Sequence, residues 1–245
     1  MSANFGLEHS PGYMLMDALV YFSSPHQFNP FNYNPLKYLL EEFVDFDRLR
    51  EQPAVKLFLC ATNVRTGKLK TFAGKEITAD HVLASSCLPL LMQAVEIDGE
   101  HYWDGGFVGN PAIFPVIYEC DASDIVMVLL TPTERPDIPT ASRAIMNRMQ
   151  EISFNSSLIR EMRAIAFVTK LIDEGKWADG KRILIHSIEA EDVTRELPGS
   201  SRLNGDWDFL SHLYEIGRDR ADRWLAVNFD HLGSESTVDL QEKYF

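Results

Sequence analysis

The chain has 245 residues, 45% hydrophobic and 11% aromatic, enough apolar material for one sizeable α/β domain or two small ones. A formal net charge of -13 leaves no basic face to displace counterions, which argues against nucleic-acid partners, and gives no electrostatic pull toward an anionic bilayer. No apolar run reaches the roughly 20 residues of a membrane helix, and Met1 to Gly6 lacks the basic and apolar regions of a secretory signal. With three cysteines (Cys60, Cys87, Cys120) in an odd count and without metal-ligand spacing, these features point to a reducing, cytoplasmic setting.

Residues 10–34 are rich in Pro, Asn and aromatics, and the recurring turn signals read as ordered loop. Asn34-Pro35 then marks a helix start, an N-cap followed by proline at the first helical position, and the helix runs through Phe43. Ala54 to Val64 is apolar, of strand length, and near-continuous in the way of a strand covered on both faces. Arg65 to Lys68 makes a turn, and Leu69 to Phe72 returns as a second strand. Thr78 caps a short helix over 79–87, closed off by Pro89. A hairpin follows, with Ala94 to Ile97, the turn Asp98-Gly99, and Glu100 to Trp103. Ile125 to Leu130 and Arg182 to Ser187 read as further strands. Residues 140–173 and 207–224 carry helical apolar spacing, the first stopped near Gly175. Strands alternating with helices call for a layered α/β sheet.

The informative region is 57–111. It begins with Leu-Phe-Leu-Cys-Ala-Thr-Asn, continues through Ala84-Ser85-Ser86-Cys87-Leu88-Pro89, and closes on Tyr102-Trp103-Asp104-Gly105-Gly106 with Asn110-Pro111 beyond. Asp-Gly-Gly alone is most often a turn. In this order and context the run resembles patatin-like phospholipases, most of all the bacterial members. The likeness continues past residue 230, through 155–167 and 204–210.

The resemblance implies a three-layer α/β/α fold with a mixed central sheet. Residues 1–117 would form the C-terminal part of the catalytic domain, and 118–245 an α/β and helical extension packed on the same sheet. It also implies a lipid or acyl-ester substrate, no cofactor, at most peripheral membrane contact, and leaves homo-oligomerisation open. In that family a Ser–Asp dyad hydrolyses the ester, with the aspartate of Asp-Gly-Gly accepting the serine's proton. By resemblance that residue is Asp104.

A carboxylate near its ordinary pKa of about 3.9 is a poor base for a hydroxyl, so the site must raise it by desolvation. Tyr102, Trp103 and Phe107 are the apolar neighbours at hand. Gly105 and Gly106 give room for a close approach and permit a turn with positive φ. Asn110 is expected to hold this loop by side-chain hydrogen bonds.

The family's nucleophile motif, Gly-x-Ser-x-Gly, occurs nowhere in the 245 residues, and no glycine-rich oxyanion loop precedes residue 57. Because Ser10-Pro11-Gly12-Tyr13 onward resembles the segment after the nucleophile helix, both motifs are expected upstream of Met1, with the first strands of the fold and its nucleophile elbow. The chain as given is then inactive. Ser85 and Ser86 are poor substitutes, since helical serines are normally solvated or bonded back to their own helix.

The histidines (His81, His101, His186 and others) show no metal spacing and read as surface or satisfied core residues, with His186 closing a strand. Met146, Met149 and Met162 read as core, or as the wall of an acyl pocket; Phe22, Phe28, Phe31 and Tyr33 would suit a lipid-entry lip. The alternative to a hydrolase is a non-catalytic protein that binds fatty acids or lysolipids.

Overall fold

The computed structural model describes residues 5–51 and 55–245; Ala54, at the start of the expected first strand, and Met1 to Asn4 of the N-terminal reading lie outside them. The chain divides into two units. One comprises residues 11–120, the other residues 121–245 with the N-terminal residues up to Ser10.

In the first unit, Pro11–Phe22 forms helix α1 and Pro25–Phe28 a single turn, α2. This corrects the loop expected over 10–34. Pro11 starts the helix, where its missing N–H would have no intrahelical partner anyway, and no breaker follows before Ser23. The helix was hidden because it buries none of its side chains, so no buried stripe announces it. Loop conformation remains at Ser10, at 23–24 between the two helices, and over 29–34, where Asn29 brackets Tyr33 with two hydrogen bonds of 2.9 Å. Helix α3 (Pro35–Phe43) starts as expected, with Asn34 Oδ1 accepting the Leu36 amide at 3.1 Å, and α4 (Phe46–Glu51) follows.

Strands β1 (Phe58–Asn63) and β2 (Leu69–Ala73) pair antiparallel across a turn with Gly67 at φ 66. Helix α5 (Ala79–Ser85) comes next, then β3 (Val95–Ile97) and β4 (Glu100–Asp104). Asp98 (φ 53) and Gly99 (φ 77) are both left-handed, as a type I′ hairpin turn demands. The sheet order is β2-β1-β4-β3, antiparallel throughout. Ala61, Phe72, Ala84 and Tyr102 form the core of this unit, flanked by Leu59, Val95 and Ile97. The unit ends with α6 (Phe114–Glu119).

In the second unit, β5 (Asp124–Leu129) and β6 (Leu184–Glu189) lie parallel. Parallel neighbours need a long crossover, supplied by α7 (Ser142–Asp173), after which Gly175 takes φ 67. Helices α8 (Glu191–Thr194), α9 (Trp207–Asn228) and α10 (Leu240–Tyr244) complete it. On α7, buried Glu151 accepts from Arg135 Nε and Nη2, at 2.9 and 2.7 Å, and from Arg148 Nη1 at 3.3 Å. Burial pushes the Glu151 carboxyl upward, but the two arginines outweigh it and hold the group below its ordinary value.

His186 lies in the middle of β6 rather than closing it, fully buried between Asp124 and Thr237, each at 3.1 Å. Of the methionines on α7, Met162 is core, whereas Met146 and Met149 are exposed.

The α/β class holds. The strands, however, form two sheets, one antiparallel and one parallel, in place of a single mixed sheet. The tight turns at Gly67 and Asp98-Gly99 permit only antiparallel pairing, and the helical crossover between β5 and β6 permits a parallel one.

Candidate active site

β4 carries Asp104 to its end, where a short 3-10 turn, Gly105–Phe107, begins. The carboxylate caps that turn, with Oδ1 accepting the Gly106 amide at 2.8 Å. Both main-chain polar groups of Asp104 are also fixed. Its N–H donates to the Cys87 carbonyl at 2.9 Å, and its C=O accepts the Thr62 hydroxyl at 2.8 Å. The side chain is half-buried and has no ion-pair partner among the described residues. Burial raises its pKa above the ordinary carboxylate range, opposed only by the Gly106 hydrogen bond.

Residues 17–117, which include this turn, match the family model described as patatin-like phospholipase. The matched stretch makes up less than half of the chain, so the likeness is one of this segment. The family is one of lipid acyl hydrolases. No curated protein matches the chain significantly.

Within the patatin-like segment, Asp104, Gly105 and Gly106 stand together as one turn, but the two glycines serve differently from expectation. Neither takes a positive φ. Gly105 is required by proximity, because a Cβ there would lie 2.3 Å from the Cys60 carbonyl oxygen and 2.6 Å from its carbon. Gly106 contributes its amide hydrogen. The source of desolvation also differs. Successive side chains of a strand alternate faces, so Trp103 projects away from Asp104, and Phe107 is 45% exposed. Cys87 is the close neighbour, fully buried, its thiol pushed up to about 11 by burial and, less strongly, by the Asp104 charge.

Ser85 and Ser86 both donate to the Val82 carbonyl, at 2.7 and 3.1 Å, and so are tied to their own helix. His81 is a satisfied core histidine. Its Nδ1 accepts the Thr78 amide at 3.2 Å, its ring meets Phe72 edge-on at 4.4 Å, and burial lowers its pKa. His101 is exposed, 3.9 Å from Glu96. No cluster of three or more His, Cys, Asp or Glu suited to a metal occurs among the described residues. Nor is any described helix long and apolar enough to cross a membrane.

On the face of β4 opposite Asp104 lies an open groove of about 540 Å³. It is lined by Tyr21, Phe22, Leu90, Met92 and Trp103, with His26 and His101 at its walls. Phe22 borders this groove, while Phe31 and Tyr33 are exposed. Sequence reasoning missed Thr62, Cys60 and Cys87 as parts of the Asp104 site. Their roles depend on which strand lies across from which, and no local signal in the sequence carries that.

Proposed function

We propose that the chain supplies the proton-accepting carboxylate, Asp104, of a Ser–Asp acyl-ester hydrolase acting on lipids. The observation that carries this reading is a half-buried carboxylate at a strand end, held by one amide and free of cations among the described residues, with its pKa raised by burial. A salt-bridged surface aspartate would be too weak a base.

In this mechanism Asp104 takes the proton of the serine hydroxyl as Oγ bonds to the ester carbonyl carbon. The tetrahedral intermediate collapses, the carbon–oxygen bond to the alcohol breaks, and Asp104 returns the proton to the departing alkoxide. Water then repeats the sequence on the acyl-enzyme, with Asp104 again as base. No histidine intervenes.

The serine is not among the 245 residues in its family context, so the chain by itself is expected to show no ester hydrolysis. The test is the coding DNA in frame before Met1. A Gly-x-Ser-x-Gly run there supports the reading, and a stop codon before any such run overturns it. In a product carrying both motifs, Asp104→Asn lowers turnover by about 100-fold or more; retention of more than about a tenth of the activity excludes Asp104 as the base.

The groove beneath Trp103 favours a second reading, a lipid-binding protein without turnover. Its size and apolar lining suit a single acyl chain. Trp103 fluorescence reports occupancy during titration with oleate, and a flat titration removes this reading. Peripheral contact with a lipid surface belongs to either reading and would run through the exposed Met14, Leu15 and Phe22 of α1.

A further inference from the structure

We propose that Thr62 is a positioning residue for the Asp104 carboxylate, an inference that rests on Asp104 being the base. Thr62 sits on β1 opposite Trp103, one step from the pair Ala61–Asp104. It is 6% exposed, and a buried hydroxyl is unfavourable unless bonded. Valine would fill a strand position of this shape equally well, so the hydroxyl is explained by its bond to the Asp104 carbonyl.

That bond acts where the sheet runs out. Beyond Asp104 the chain leaves β4 and turns through Gly105–Phe107, and the Asp104 carbonyl is the last polar group before the turn. Thr62 clamps it from one side while the Cys87 carbonyl takes the Asp104 N–H from the other. With both ends of the residue fixed, the carboxylate is left in reach of the Gly106 amide. A reactive group held this way needs little reorganisation when a proton moves.

The test uses the 245-residue chain and reads amide hydrogen exchange by NMR. Thr62→Val lowers protection of the Gly106 amide by about tenfold or more, because the turn is freed at its root. The Asn63 and Val64 amides, bonded to Lys68 and His101, keep theirs. Thr62→Ser, which retains the hydroxyl, restores Gly106. Thr62→Ala gives the same pattern as valine and serves if the valine variant does not fold. Unchanged Gly106 protection, or an equal fall at Gly106, Asn63 and Val64, overturns the positioning role. Neither outcome touches Asp104 itself, whose role stands or falls on the turnover of Asp104→Asn.

Discussion

Cys87 and Asp104 are joined by a main-chain hydrogen bond of 2.9 Å, and the carboxylate charge helps keep the buried thiol protonated. The relationship places a potential nucleophile beside a potential base and disables it, since the thiolate is the reactive form. Cys87 is therefore inert. In native protein at pH 8, iodoacetamide labels Cys60 and Cys120, both partly exposed, while Cys87 is labelled only after unfolding. Peptide mass mapping checks this, and labelling of native Cys87 at a rate matching Cys120 would refute it.

The raised pKa of Asp104 has a consequence for stability. For a carboxyl whose folded pKa lies above its unfolded one, the folded state binds more protons between the two values. Stability is then greatest below the unfolded value and falls as pH rises through the folded one. Asp104→Asn removes the buried charge and keeps an oxygen for the Gly106 amide. The variant unfolds at a higher temperature than wild type at pH 7, and the difference vanishes below the ordinary carboxylate range. A lower melting temperature for the variant at pH 7 would contradict the desolvation account.

Gly105→Ala tests the close approach to Cys60. The added methyl meets main-chain carbonyl atoms, not a flexible side chain, so β1 or the turn must move. The expected loss is about 3 kcal/mol, as for overpacking in a well-packed core, measured by urea unfolding. A loss under about 0.5 kcal/mol would show that the turn has slack.

In the second unit, Glu151→Ala strips the partner from Arg135 and Arg148. Both arginines are partly exposed, which moderates the penalty, and the expected destabilisation is about 3 kcal/mol. Glu151 ordinarily ionises more readily in the fold than in the unfolded chain. Its stabilising contribution is present above the unfolded pKa and lost as pH falls through the folded one. Wild type and variant therefore converge in stability under acid, and parallel pH–stability curves would count against the assignment.

The features legible in the sequence were those with local causes. Asp98-Gly99 set a hairpin because both residues had to be left-handed, Asn34-Pro35 set a helix start, and Gly175 stopped α7. Asp104 could be picked out only because a run of motifs surrounds it. What escaped was either unpartnered or non-local. Helix α1 shows no buried face to betray its period. The need for glycine at 105 comes from Cys60, 45 positions earlier, and the clamp on Asp104 from Thr62. Two sheets in place of one likewise follow from pairings that no stretch of sequence records by itself.

The two-residue turn at Asp98-Gly99 governs more than its own corner. Strand side chains alternate with a period of two, so adding or deleting one residue between Ile97 and Glu100 would slip β4 by a single place against β3. If β4 kept its pairing with β3 and not with β1, the aspartate and the tryptophan would exchange sides, one entering the groove and the other the core. A single codon's gain or loss at a solvent-exposed corner, more than 10 Å of chain from the carboxylate by strand rise, would thus erase the site while leaving every residue of it intact.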